Sequence, residues 1–89
     1  MPIMVTAEVP GQTAQGYDGI RTHLTALLQQ APGLILHTAH AVEGGWRVIE
    51  IWESKHDANQ FFAQYVHPNL PPGIRPKRTF QDLHSLITP

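Results

Sequence analysis

A strand that leads directly into a helix, between positions 46 and 65, constrains the fold of this 89-residue chain more than any other feature. Over the first eight of these positions, side chains alternate between two faces, as they do in a β-strand. One face carries Trp46, Val48, Glu50 and Trp52, and the other carries Arg47, Ile49, Ile51 and Glu53. A carboxylate between two tryptophans is more than a plain apolar core requires, so the first face is a candidate for chemistry.

The spacing of apolar residues then changes from two to about 3.6, which predicts a helix from about Lys55 to Val66. Its apolar face consists of Ala58, Phe61, Phe62, Tyr65 and Val66. Ser54 stands at the N-cap position and Asp57 follows three residues later, a pair that resembles a capping box. Pro68 should end the helix, because the residue before a proline, here His67, is driven toward extended backbone.

The first half of the chain repeats this combination of strand and helix. Residues 3–9 alternate as a strand, which a Pro-Gly pair at positions 10 and 11 ends. Thr13 is placed to cap the helix that follows. The apolar face of that helix consists of Tyr17, Ile20, Leu24, Leu27 and Leu28.

Two further strands complete the pattern. A strand from Leu34 to Val42 should join the Trp46 strand through a hairpin whose two loop residues are Gly44 and Gly45. A last strand is predicted from the apolar residues Phe80, Leu83, Leu86 and Ile87. The order βαββαβ predicts an α+β, ferredoxin-like fold over a single domain, residues 1–89, with a four-stranded antiparallel sheet and two helices on one face.

The uncovered face of the sheet predicts a partner. The strand over residues 47–53 is apolar on both sides, and an open apolar sheet face on a globular chain marks an interaction surface. A chain of this length buries only about 60% of its unfolded surface. It also has no cysteine for a disulfide, so association would add stability. We therefore expect a homodimer with sheet packed against sheet, a dimeric α+β barrel.

Composition excludes other kinds of partner. Six basic and seven acidic residues give a net charge of -1, which argues against nucleic-acid binding. No apolar run reaches the roughly 20 residues of a membrane span, so no membrane association is expected. The first residues lack the pattern of a signal peptide, and a cytoplasmic location is the expectation.

The hairpin places a histidine beside the buried carboxylate. With Gly44 and Gly45 as the loop, His37 lies diagonal to Glu50, within reach of a hydrogen bond. A carboxylate that holds an imidazole in one tautomer is the usual way to position an acid or base. His37 and Glu50 are therefore candidate catalytic residues. The structural alternative is an ordinary pair at the sheet edge, and a β-bulge would change the register.

Aromatic residues supply the walls of a predicted pocket. The candidate ligand-binding residues are Trp46, Trp52, Phe61 and Tyr65. His67 follows directly on the helix and precedes a proline-rich loop, so it is a third acid/base candidate at the rim, or else an exposed helix end. Arg75, Lys77 and Arg78 are either a solvated cluster or an anion contact at the pocket mouth.

Other chemistries find little support. The six histidines show no metal-binding spacing and there is no cysteine, so neither a metal nor another cofactor is expected. Met1-Pro2-Ile3 resembles the start of the tautomerases, in which an N-terminal proline amine can act as a base. The second half of the chain fits that family poorly.

Trp52-Glu53-Ser54-Lys55 and the order of the elements resemble the antibiotic-biosynthesis monooxygenase-like proteins, which form dimeric α+β barrels. The resemblance implies a ligand between the sheet and the helices of each subunit, often without metal or flavin. Activities in that superfamily include quinone-forming monooxygenation, haem degradation and polyketide cyclisation. His67-Pro68 is similar to the His-Pro of the stress-responsive barrel proteins, which implies an acid/base role for His67.

Two departures limit what this resemblance implies. The haem degraders use an asparagine on the first strand, whereas this chain has Thr6 and Glu8 there. They also use a tryptophan and a histidine on the second helix, whereas this chain has Phe61 and Phe62. Haem degradation is therefore not expected, and the first-strand histidine of the cyclases is absent as well. The predicted function is a cofactor-independent monooxygenase or cyclase for a small hydrophobic, aromatic or polyketide-like ligand. The alternative is a non-catalytic, ligand-binding or structural homodimer, which a fully packed interface between helices and sheet would favour.

Overall fold

The computed structural model describes all 89 residues and confirms the predicted order of elements. These are β1 (Ile3–Pro10), α1 (Ala14–Gln29), β2 (Leu34–Val42), β3 (Gly45–Trp52), α2 (Lys55–Phe61) and β4 (Lys77–Asp82). All strand pairs are antiparallel, in the order β2-β3-β1-β4, and both helices lie on one face of the sheet. This is the ferredoxin-like arrangement. Neither helix combines the length and the apolar character that crossing a membrane requires.

Both helices begin at the residues that the sequence indicates. The Thr13 hydroxyl accepts a hydrogen bond from the Gly16 backbone N–H at 3.0 Å, and the Ser54 hydroxyl accepts one from Asp57 at 3.1 Å. Each cap satisfies a backbone donor that has no partner within the helix. Glycine at position 16 has a packing reason, since a Cβ there would overlap the buried side chain of Gln12.

The core lies between the helices and the inner face of the sheet. Trp52 is fully buried, and its ring centroid is 5.6 Å from that of Phe61 and 6.0 Å from that of Phe62. Burying each such side chain stabilises the fold by about 1.5–3 kcal/mol. The alternating residues of β1 complete this layer: Ile3, Val5, Ala7 and Val9 are all buried.

The predicted hairpin loop is wrong by one residue. Val42 pairs with Gly45, so the loop residues are Glu43 and Gly44. Gly44 has a φ of +77°, a conformation that favours glycine, while Gly45 lies in β3 where a Cβ would come 2.5 Å from the carbonyl oxygen of Val9. From Leu36 to Val42 the shift moves each cross-strand partner by two residues, which leaves these side chains on their predicted faces, and the pairing is irregular between Leu34 and Leu36. His37 therefore lies directly opposite Glu50 instead of diagonal to it.

The predicted end of the second helix is also wrong. After α2 the chain continues as a π-helical segment, Phe62–Val66, and a short 3₁₀ turn, His67–Asn69. His67 has helical backbone angles, φ −56° and ψ −43°, instead of extended ones. Pro68 is tolerated because it lies in the first turn of the 3₁₀ segment, where its missing N–H is not needed.

The last strand begins and ends earlier than its apolar residues indicate. β4 ends at Asp82, and Leu86 and Ile87 lie beyond it, 36% and 90% exposed. Pairing with β1 determines the strand: Val5 lies opposite Phe80 and Ala7 opposite Arg78. Since Val5 and Ala7 are on the inner face, β4 directs an arginine toward the helices.

The opposite face of the sheet is not covered by either helix. Its apolar residues include Ile49 and Ile51, together with Leu36, which is 37% exposed. Glu8 and Arg47 form an ion pair on the same face, with 2.6 Å between a carboxylate oxygen and the guanidinium Nε.

Candidate functional site

A cavity of about 90 Å³ lies between the inner face of the sheet, α1 and the start of the π-helical segment. Its wall is mostly apolar, and Leu70 and Pro76 of the proline-rich loop form part of it. Five polar or charged side chains belong to the wall: Gln12, Tyr17, His37, Glu50 and Arg78. An apolar cavity with a few convergent polar groups is the usual form of a small-molecule site.

A chain of hydrogen bonds runs along one side of this cavity. The Tyr17 hydroxyl is 2.6 Å from Nε2 of His37, and Nδ1 of the same imidazole is 2.5 Å from Oε2 of Glu50. The indole Nε1–H of Trp52 donates to Oε1 of Glu50 at 2.9 Å. Each of the two carboxylate oxygens therefore has its own partner.

The position of Glu50 follows from the fold. It lies in β3 next to β1, and only 5% of the residue is exposed. An ionised carboxylate in such a place needs hydrogen-bonding partners, because burying it alone is costly. Trp52 supplies one from the same strand face, and His37 supplies the other from the neighbouring strand.

The network determines which nitrogen of His37 carries the proton. An ionised Glu50 only accepts hydrogen bonds, so Nδ1 donates to it and Nε2 is left to accept from the Tyr17 hydroxyl. The imidazole can then take up a proton at Nε2, and Glu50 stabilises the resulting cation. This is the arrangement of a positioned general base.

Tyr17 is the member of the chain contributed by α1. Burial raises the pKa of its phenol above the ordinary 10.0; Arg21 opposes this shift, and the negative charge of Glu50 adds to it. The ring stacks on Trp46, with 5.4 Å between centroids. Tyr17 is therefore a neutral hydrogen-bond donor at physiological pH.

Arg78 brings a positive charge into the cavity from β4. Its Cζ lies 4.1 Å from the centroid of the Phe62 ring, and its Nη1 is 3.1 Å from Nε2 of His67. It takes part in none of the three salt bridges of the chain. Burial lowers the pKa of Arg78, an effect that the negative charge of Glu50 opposes, but a guanidinium stays protonated in proteins.

Trp46 contributes a buried donor without a partner. Its indole Nε1 is the one buried side-chain nitrogen or oxygen that lacks a hydrogen bond, and the residue lines the cavity. An unsatisfied buried donor costs about 1–3 kcal/mol, so an acceptor on a ligand would relieve this cost.

The structure brings some of the predicted site residues together and separates others. His37, Glu50, Trp46 and Phe61 all line the cavity. Trp52 lies outside the cavity wall and holds Glu50.

Tyr65 and His67 lie away from the cavity. Tyr65 packs against Phe61, with 5.2 Å between ring centroids, and does not belong to the wall. His67 is exposed and also lies outside the wall, although its imidazole contacts Arg78.

Neither Tyr17 nor the place of Arg78 follows from the spacing of residues in the sequence. Tyr17 was assigned only to the apolar face of the first helix, but a buried phenol needs a hydrogen-bonding partner, and that need was the available signal. Arg78 was recognised only within a basic cluster, because its orientation depends on the pairing of β4 with β1.

The polar residues of the site do not group as metal ligands do. No group of three or more histidine, cysteine, aspartate or glutamate side chains is placed to bind a metal ion. Both nitrogens of His37 already have hydrogen-bonding partners, so the imidazole could bind a metal only by giving up one of them. The β1 residues on the cavity wall are Val5, Ala7 and Val9, whereas Thr6 and Glu8 face away from it.

Comparison with solved structures identifies the fold. SnoaB from Streptomyces nogalater, a cofactor-independent oxygenase, superposes with a TM-score of 0.68 at 11% identity, over 97% of this chain and 96% of SnoaB. MhuD from Mycobacterium tuberculosis, a heme-degrader with two hemes bound in its active site, superposes with a TM-score of 0.64 at 14% identity, over 99% and 100%. No protein-family model matches the sequence, and no curated protein matches it significantly. The resemblance to the monooxygenase-like barrels is thus confirmed at the level of the fold.

Proposed function

We propose that this chain is an enzyme that acts on a small aromatic or polyketide-like compound, as a cofactor-independent monooxygenase or a cyclase. The observation that carries the proposal is the position of His37, held between Tyr17 and Glu50 at the wall of an apolar cavity. The fold that the chain shares with a cofactor-independent oxygenase supports this choice of chemistry.

Both reactions can begin with the same step. His37 removes a proton from a carbon next to a carbonyl group, either directly at Nε2 or through the Tyr17 hydroxyl, and the substrate becomes an enolate. In a cyclisation, the enolate carbon attacks a second carbonyl of the same molecule. In an oxygenation, the enolate carbon transfers electrons to O₂ and forms a carbon–oxygen bond to a peroxide. Loss of water from this peroxide, with the second hydrogen of the same carbon, leaves a new carbonyl group, so the reaction needs no separate electron donor.

The surroundings of His37 suit this step. Glu50 stabilises the imidazolium that forms, and the apolar wall strengthens that interaction because it keeps the local dielectric low. Arg78 on β4 supplies a positive charge for an enolate oxygen. Trp46 and Phe61 are proposed to contact the ligand, while Trp52 positions Glu50 and Tyr65 supports Phe61.

The cavity favours an enzyme over a purely structural dimer. A structural interface would be filled with apolar side chains, whereas this one leaves about 90 Å³ beside a histidine and a carboxylate. We assign His67 an indirect role, since its contact is with Arg78 and not with the cavity.

We also propose that the chain forms a homodimer through the open face of the sheet. Leu36, Ile49 and Ile51 provide the apolar part of that face, and no other element of the chain covers it. Packing a second copy there would remove this surface from water.

Hydrogen exchange into a carbon acid tests the proposed chemistry. The probe is 2-tetralone in D₂O under nitrogen, with deuteration next to its carbonyl followed by NMR. Wild-type protein should accelerate the exchange over a protein-free sample. Glu50→Gln should slow it by about 100-fold or more, within the range for loss of general-base catalysis. Glu53→Gln, an exposed glutamate three residues further along the chain, is the matched control and should leave the rate unchanged.

Two results would overturn the proposal. One is an exchange rate equal to that of the protein-free sample, which would leave a binding or structural protein. The other is an equal rate for wild type and Glu50→Gln. Once exchange is seen, admitting air separates the two reactions, because oxygen uptake occurs only with a monooxygenase.

A further inference from the structure

We propose that Arg78 binds an anionic oxygen of the ligand, so that the cavity takes small aromatic or enolic acids in preference to neutral compounds. The inference rests on the proposed function, because it names the substrate class of the same cavity. A carboxylate and a phenolate share the necessary chemistry. The same arginine would bind either of them.

The first argument is the absence of a protein counter-charge. Arg78 is half-buried, yet it takes part in no salt bridge, and its two close contacts, the Phe62 ring and the His67 imidazole, carry no negative charge. A buried cation is normally paired, and a guanidinium suits the two oxygens of a carboxylate. Its single side-chain hydrogen bond leaves most of its five N–H donors available.

The second argument concerns Glu50, the one carboxylate on the cavity wall. Its two oxygens are already engaged, one by His37 and the other by Trp52. The negative charge of Glu50 acts on Arg78 from a distance, but the two side chains form neither a salt bridge nor a hydrogen bond. An acidic ligand would therefore bring the negative charge that no salt bridge of the chain supplies to Arg78.

Trp46, another residue of the cavity wall, has a donor that lacks an acceptor. The indole Nε1–H of Trp46 is buried without a partner. Arg78, which has no anionic partner, and Trp46, whose indole N–H has no acceptor, thus line the same cavity, which favours a ligand rich in acceptor oxygens. The acid oxygen would bind at Arg78, and the carbon that loses a proton would face His37.

His67 positions Arg78 in this scheme. The Nη1–H of Arg78 donates to Nε2 of the exposed imidazole, which holds the guanidinium over the Phe62 ring. His67→Phe would remove that acceptor. Because Arg78 would keep its charge, the variant should weaken acid binding without abolishing it.

Binding of benzoate and of benzamide, which have nearly the same shape, tests the proposal. Each is titrated into ¹⁵N-labelled protein, and the indole N–H signal of Trp46 reports occupancy while that of the fully buried Trp52 serves as an internal reference. Benzoate should bind wild-type protein about 10-fold or more tightly than benzamide does, as expected for replacing a neutral hydrogen bond by a charge-assisted one.

Variants of two adjacent residues distinguish specific binding at Arg78 from a nonspecific effect of positive charge. Arg78→Gln should abolish the preference for benzoate, and Arg78→Lys should keep part of it. Lys77→Gln removes the same charge from the exposed neighbour and should leave the preference intact. Amide spectra establish that each variant is folded. Equal affinities in wild type, an unchanged preference in Arg78→Gln, or benzoate binding that leaves the Trp46 signal unmoved would each overturn the inference.

This titration is independent of turnover, so the two proposals can fail separately. A preference for benzoate without 2-tetralone exchange would support the anion site and refute the proposed enzymatic activity. If exchange depends on Glu50 but benzoate and benzamide bind equally well, the enzymatic activity is supported and the anion site is refuted.

Discussion

Replacing Glu50 should reveal how much of the stability of the fold depends on the hydrogen bonds of one carboxylate. In Glu50→Gln, the amide oxygen can still accept from Trp52, but the amide nitrogen would face Nδ1 of His37. A neutral hydrogen bond then replaces a charge-assisted one, which amounts to a loss of about 1 kcal/mol in the free energy of unfolding.

Glu50→Leu is the more severe change. It leaves the indole N–H of Trp52 buried without an acceptor and removes the partner of His37. An unsatisfied buried donor costs about 1–3 kcal/mol, and the lost charge-assisted hydrogen bond adds about 1.5–3 kcal/mol. Relief of the cost of burying a carboxylate offsets part of this sum, so we expect a net loss of about 2–4 kcal/mol.

Urea unfolding, followed by circular dichroism, measures the loss of stability in Glu50→Gln and in Glu50→Leu. All samples are compared at one protein concentration, because association affects stability. Glu53→Gln is the exposed control and should stay within about 0.5 kcal/mol of wild type. A cycle that combines Glu50→Gln with His37→Asn should give a non-additive term, since the two residues are in contact. A Glu50→Leu variant as stable as wild type, or strictly additive single changes, would refute the account of this hydrogen-bond chain.

Three further predictions concern the phenol, the open sheet face and a crowded glycine. Burial raises the pKa of Tyr17 above 10.0, so the stability gained from the neutral phenol is present below about pH 10 and lost as the pH rises through the raised value. Tyr17→Phe should therefore lose less unfolding free energy than wild type between about pH 9 and pH 11, and an identical decline would contradict the burial argument. For the wild-type protein, light scattering should give about twice the chain mass of 9.9 kDa. Ile49→Glu places a charge on the open sheet face and should reduce the measured mass to that of a single chain. A wild-type monomer would exclude the dimer. Gly45→Ala should lower the free energy of unfolding by about 1–3 kcal/mol, because its Cβ would meet the Val9 carbonyl. Gly19→Ala has open space around it and should raise the free energy of unfolding by up to about 1 kcal/mol. Equal effects of the two variants in urea unfolding would count against the strand pairing.

The sequence predicted the layers of the fold because residue spacing alone defines them. The alternation in β1 and β3 follows from the spacing within each strand, and the error in the β2–β3 pairing is a shift of two residues, which returns each side chain to its original face. For this reason His37 and Glu50 were predicted to meet although the hairpin loop was misplaced. The choice between Gly44 and Gly45 depended on a contact with the Val9 carbonyl, which lies far away in the sequence.

Features that depend on tertiary contacts could not be predicted in the same way. The sequence rule for a residue before proline placed His67 in extended backbone, but the chain continues through π-helical and 3₁₀ turns that keep it helical. Arg78 turns inward only because β4 pairs with β1 opposite Ala7. Both residues illustrate that pairing and packing decide which polar groups reach the cavity.

The central claim is that His37 takes a proton from a ligand in the cavity, and comparing two histidines of β2 tests it most directly. Asparagine at position 37 can still donate to Glu50, and His40 lies exposed on the same strand but on the opposite face. Under nitrogen, His37→Asn should slow deuteration of 2-tetralone by about 100-fold or more, while His40→Asn should exchange at the wild-type rate. Equal rates for His37→Asn and wild type, with both proteins folded, would contradict the claim.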